Sequence, residues 1–237
     1  MSNFSNSPLI DLTRLSPHRN SPRNQPIRKI TIHHFAGNAT IEAVSNFLAQ
    51  PGRNASYNYG IGSDGRKVLI VEERNRCWGS SSPANDHQAV VIGVANNRLA
   101  PDWSVSEAAF EALIDLCVCI CERNPGIIQL DSTPGLWYDR TANGSLTRHN
   151  MFANTLCPGP YLQSRFPVIV HRVNTRLARP QLVVGPSLEG VADWATDAWL
   201  WAIDNLGIDG TRPRDSMTRQ EVMTILYRFY SNFLKHN

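Results

Sequence analysis

The run HQAVVIGVAN, residues 87–96, decides how this chain folds. From Ala89 to Ala95 no side chain is polar, and Val90, Val91, Ile92 and Val94 are β-branched. So short and continuous an apolar run reads as a strand covered on both faces, the interior strand of a sheet with helices on either side. Upstream, SYNYGIGSDGRKVLIVEE (56–73) reads as two strands joined through Asp64-Gly65, a strong hairpin signal. Before it, IRKITIHHF (27–35) is another β-branched strand, and Thr40 caps a helix IEAVSNFLAQ that stops at Pro51-Gly52. Downstream, Ser104 with Glu107 reads as a capping box for the helix VSEAAFEALIDLCVCICERN, closed by Pro125-Gly126. GSLTRHNM then brings one more strand to its edge at His149. Strands interleaved with helices predict an α/β domain.

The 237 residues suffice for one large domain or a medium domain with a small companion. A net charge of +3 is too mild to argue for nucleic acid, though it suits an anionic polymer such as a cell wall. Residues 1–26, rich in Ser, Pro, Asn and Arg, read as an extended arm, and the α/β domain follows over 27–170. Residues 171–186 lack periodicity and read as a linker. Residues 187–237 predict a small all-α helical hairpin. Its first helix is ADWATDAWLWAIDNLG, with Trp194, Ala198, Ala202 and Leu206 on one stripe. The second, capped by Thr218 with Glu221, carries Val222, Ile225, Leu226, Phe229 and Phe233 on its inner side. About 50 residues make a marginal core, so the hairpin is expected to dock on the first domain or pair with another copy.

The N-terminus has no charged start followed by an apolar run, and no stretch has the 18 or more apolar residues that span a bilayer. Synthesis in a reducing compartment, with neither signal peptide nor membrane insertion, is the expectation. The five cysteines agree. Cys117 and Cys121 share a helical face while Cys119 points elsewhere, so all three read as small packing residues rather than a disulfide framework.

One histidine and one cysteine stand apart in TRHNMFANTLCPGP (147–160), where His149 precedes Cys157 on an irregular loop. In ITIHHF, strand alternation puts Ile30, Ile32 and His34 on one side and Thr31, His33 and Phe35 on the other. His33 could then meet His149 and Cys157 from the distant loop. Two imidazoles and a thiolate would bind zinc tetrahedrally and leave the fourth position open, the arrangement of catalytic rather than structural zinc. His18, His87, His171 and His236 read as surface or hydrogen-bonded core histidines on the same reasoning.

Taken in order, ITIHHFAGN, SYNYGIGSDG, ANDHQAVVIGVAN and HNMFANTLCPG resemble the type 2 N-acetylmuramoyl-L-alanine amidases over roughly Lys29 to Tyr161. That family includes amidase-type phage lysozymes, bacterial autolysins and the peptidoglycan recognition proteins. The resemblance implies a mixed central sheet flanked by helices, with zinc held by His33, His149 and Cys157 in a groove for peptidoglycan. It implies hydrolysis of the amide between N-acetylmuramic acid and L-alanine, with Tyr57 and Thr155 as catalytic residues. Trp78, Asn85 and His87 fall where relatives shape the substrate cleft. One departure stands out: many bacterial relatives carry a glutamate in the central strand where this chain has Gly93. Glutamate restored there is expected to raise turnover if a general base is missing.

IDGTRPRDSMTRQE (208–221) is similar to surface-layer homology motifs and to the C-terminal halves of some phage endolysins. That implies anchoring to the wall or its secondary polymers, through Arg219, although such motifs usually work in sets of three. A phage or prophage endolysin that waits in the host cytoplasm until lysis and then acts on the wall fits these features. The alternative is a peptidoglycan-binding module that has lost catalysis. A serine hydrolase using Ser80, Ser81 or Ser82 with His87 is disfavoured, since no nucleophile-elbow pattern is present.

Overall fold

A computed structural model of the chain describes residues 4–178, a few separate positions between 191 and 218, and the helix Arg219–Phe229. The strands are β1 (Leu12–Thr13), β2 (Arg19–Asn20), β3 (Lys29–His34), β4 (Tyr59–Ile61), β5 (Lys67–Leu69), β6 (Arg76–Cys77), β7 (Ala89–Val94) and β8 (Leu146–Arg148). Helices α1 (Ile41–Ala49), α2 (Pro83–Asp86), α3 (Glu107–Arg123), α4 (Gly159–Ala178) and α5 (Arg219–Phe229) complete the described elements.

Six strands form one sheet in the order β1-β5-β4-β7-β3-β8, parallel except for the antiparallel β4–β5 pair. It is the mixed sheet expected. The apolar run lies at its centre as β7, buried at every position from Ala89 to Val94. One face, with Ile30, Ile32, Val90 and Ile92, packs against Phe110, Leu113 and Leu116 of α3. The other face carries Val68, Ile70 and Val91 against Ile41, Val44 and Leu48 of α1. The β4–β5 hairpin turns where expected: Gly65 has φ +84°, and Asp64 Oδ1 accepts a hydrogen bond from the Arg66 N–H.

One of the two helix caps falls where the sequence places it, and the other two residues further on. Thr40 caps α1 by accepting from the Ala43 N–H. The cap of α3 is Ser106, which accepts from the Ala109 N–H, and not Ser104; the Ser104 hydroxyl donates to Asn97 Oδ1 instead. Cys117 and Cys121 are buried in the core and Cys119 is half-buried, and all five cysteines are free thiols.

Two regions differ from expectation. Pro158-Gly159 looks like a stop, yet a 20-residue helix begins at Gly159 and runs through Ala178, so residues 171–178 are helix rather than linker. Pro160 suits the first turn, whose N–H groups have no intrahelical acceptor. The interior Pro167 costs roughly 3 kcal/mol. Burying Leu162, Phe166, Ile169 and Val173 contributes about 1.5–3 kcal/mol each and outweighs it. Arg172 adds a two-pronged pair with Glu111, at 2.5 Å for each nitrogen. The N-terminal arm, for its part, is built into the domain rather than laid over it. β1 forms the sheet edge beside β5, β2 pairs with β6, and Arg23 is buried.

The chain divides into two compact units after Arg179. In the second, most of the first helix of the expected hairpin lies outside the described residues, as do Phe233 and most of the surface-layer-like motif. In α5, Val222 and Leu226 are exposed and Ile225 is half-buried. Among the described residues no helix is long and apolar enough to cross a membrane.

Candidate metal centre

Parallel pairing of β3 with β8 sets Ile32 beside Arg148, so the next residues, His33 in β3 and His149 just past β8, emerge at the same sheet end. His149 opens a single 3-10 turn, and the loop returns when the Asn150 N–H bonds the Cys157 carbonyl at 3.1 Å. That closure carries the Cys157 sulfur 3.5 Å from His33 Nδ1, where it also accepts the His34 backbone N–H at 3.3 Å. One donor atom from each of His33, His149 and Cys157 lies within 4.8 Å of the others. The two imidazole centroids are 4.3 Å apart.

The donor set fits a soft divalent cation. His33 Nε2 and His149 Nε2 are both buried without a hydrogen-bond partner, a costly condition that a ligand would relieve. Burial, then the neighbouring His149 and His34, holds the His33 pKa well below its usual value, and burial lowers that of His149. Both rings are therefore neutral, the form that binds metal. Burial pushes the Cys157 thiol up to about 12, against the pull of the His34 N–H. Its ionisation calls for a cation at the same corner.

A cleft of about 390 Å³ opens beside this corner, lined by His33, His149, Tyr57, Trp78, Arg53, Arg76 and Asp86, among others. The Tyr57 ring centroid lies 5.0 Å from that of His33. Among the described residues its hydroxyl has no hydrogen-bond partner, and burial, followed by nearby Cys157, raises its pKa and keeps the phenol a donor. Trp78 presents its ring to the cleft while its indole N–H bonds Asn20 Oδ1 at 2.6 Å. Asn54 and Ser81, at φ +52° and +63°, also line it, so part of the wall is strained backbone of the kind that clusters at functional sites.

Three sequence-derived candidates are not among the residues that line this cleft. Asn85 is buried, its Nδ2 donating to the Thr31 and Ser80 hydroxyls at 3.0 and 3.1 Å while its Oδ1 has no partner. His87 lines a separate depression, where its Nδ1 accepts the Asn24 N–H. Thr155 stands on the ligand loop, its hydroxyl accepting the Cys157 N–H at 3.2 Å. Conversely, Arg53, Arg76 and Asp86 line the cleft without having been singled out. Their only signal was position, Arg53 four residues before Tyr57 and Arg76 two before Trp78. Asp86 offers no free oxygen, since its carboxylate accepts from the Gly79 N–H and from the Ser80 N–H and hydroxyl.

The model of the N-acetylmuramoyl-L-alanine amidase family matches residues 23–160, more than half of the sequence and all three donors. The chain belongs to that amidase family. Similar solved structures include Staphylococcus aureus hydrolase AmiA in complex with its ligand, at 16% identity and TM-score 0.52, covering 72% of this chain and 83% of that one. A selenomethionine derivative of AmpD matches at 18% identity and TM-score 0.51, over 69% of this chain and 95% of that one. A mutant endolysin from Bacillus subtilis matches at 13% and 0.51, over 69% and 99%. At such identities these likenesses are of fold. No curated protein matches the sequence.

Proposed function

We propose that this amidase hydrolyses the bond between N-acetylmuramic acid and L-alanine in bacterial peptidoglycan, with zinc held by His33, His149 and Cys157. The observation that carries the reading is the convergence of those three donors, two with orphaned buried nitrogens, beside an open cleft in a chain of the amidase family. When bound, zinc supplies Lewis acidity, bringing the pKa of a water toward about 7 and polarising the scissile carbonyl.

The chain's own residues do the rest. His33, His149 and Cys157 hold the cation, and the His34 N–H steadies the sulfur. The protonated Tyr57 hydroxyl donates to the oxygen on which negative charge develops. Thr155 keeps the turn before Cys157 in shape and can support that oxygen from the loop side. Trp78 offers a flat apolar face to a sugar or stem peptide; Asn85, bonded to Ser80 beside the cleft residues Gly79 and Ser81, acts on substrate only indirectly, and His87 lines a separate depression.

An endolysin is the role these features favour, retained in the host cytoplasm until lysis and then acting on the wall. Residues 187–237 would bind wall polymers or pair with a second copy. A second reading, wall binding without catalysis, draws on one observation. Among the described residues lining the cleft, the only carboxylate is Asp86, and it is fully engaged. Labelling of new amino termini on purified walls separates the two: free L-alanine amino groups are expected, and tight wall binding with none released would select the binding module.

A further inference from the structure

Gly60, Gly93 and His33 are direct neighbours across β4, β7 and β3. Laterally paired residues of a sheet face the same side, so this row presents two missing side chains and then an imidazole. Phe35 and Tyr57 occupy the resulting trough. A Cβ added at Gly93 would lie 2.5 Å from Phe35 Cε1 and 2.6 and 2.7 Å from two Tyr57 ring carbons. One added at Gly60 would meet Val68 at 3.0 Å and Phe35 at 3.2 Å. The two rings stack with centroids 6.1 Å apart and planes 10° from parallel.

We propose that Gly93 is a positioning residue: by carrying no side chain next to His33, it lets the Tyr57 ring lie in the trough against the metal corner. The inference rests on the amidase reading above and deepens it. It reverses the expectation attached to this position, because a glutamate at 93 evicts the tyrosine before it can serve as a base.

The test uses the full-length, zinc-loaded protein and soluble peptidoglycan fragments, with kcat, KM and zinc content measured for Gly93→Ala, Tyr57→Phe and the double variant. Gly93→Ala should lower kcat on the order of 10- to 100-fold, as a displaced catalytic group does, with zinc content and KM nearly unchanged. In the Tyr57→Phe background the same substitution should cost less than about twofold, because the group it displaces has already lost its hydroxyl. Wild-type kcat in Gly93→Ala, an equal loss in both backgrounds, or loss of zinc overturns the proposal. If Gly93→Ala does not fold, Phe35→Leu removes the ring that braces Tyr57. It must lower kcat only where the Tyr57 hydroxyl is present, and an equal drop in both backgrounds overturns the proposal. A wild-type protein that cleaves no amide defeats the amidase reading itself, a result distinct from all of these.

Discussion

Two buried polar clusters lie in the α/β unit and are finished differently. Around Glu73, fully buried, one oxygen accepts from Tyr59 at 2.6 Å and Arg123 at 2.7 Å, and the other from Asn124 at 3.1 Å. Beside it, all three guanidinium nitrogens of Arg23 donate to backbone carbonyls, those of Glu73, Asn75, His87 and Ala89 among them. At the His33–His149–Cys157 corner, two ring nitrogens are buried with nothing to bond. In the first cluster both Glu73 oxygens and every Arg23 nitrogen are paired and Arg123 Nε is left over, so it fastens the fold; the second, rich in soft donors, is suited to receive a ligand.

Breaking each cluster should therefore have different consequences. Cys157→Ser is expected to abolish stoichiometric zinc binding and to lower amidase turnover roughly a thousandfold or more, the several kcal/mol that a Lewis acid contributes. Zinc analysis alongside amino-group release checks both; retention of either removes Cys157 from the centre. Glu73→Ala strands Arg123, Tyr59 and Asn124 and should cost about 3–5 kcal/mol in denaturant unfolding, the usual penalty for opening a buried pair. Its turnover per folded molecule should stay within about twofold. A collapse of kcat with zinc and fold intact would erase the distinction between the clusters.

Smaller changes sharpen it. Asn85→Ala should lose about 1–2 kcal/mol of stability with KM unaltered, since its amide serves Thr31 and Ser80. A raised KM at unchanged stability would return Asn85 to the substrate. Cys119→Ser, at a half-buried position on α3, should move stability by under about 0.5 kcal/mol and leave zinc content alone.

What was legible from residue order was what local chemistry dictates. The apolar run of β7, the Asp64-Gly65 turn and the Thr40 cap each involve groups a few residues apart. Alternation along β3 was enough to separate His33 from His34. The meeting of His33 with His149 depends instead on β3–β8 register, a pairing across more than a hundred residues that no local signal encodes. The helix α4 was hidden because Pro158-Gly159 resembles a chain stop, although Leu162, Phe166, Ile169 and Val173 recur at helical spacing. Asn85 and His87 sit near the right place in sequence, but the short helix α2 turns one onto Thr31 and the other onto Asn24. The role of Gly93 was least legible of all. A glycine announces an absent group, and only the packed neighbours show which rings fill the space.

The proposed chemistry requires a metal to complete the unsatisfied corner. Its most direct test is amino-group release from purified walls by protein stripped of metal and then titrated with zinc. No release before addition and recovery at one zinc per chain is the predicted result. Full release by protein verified to be metal-free would contradict it.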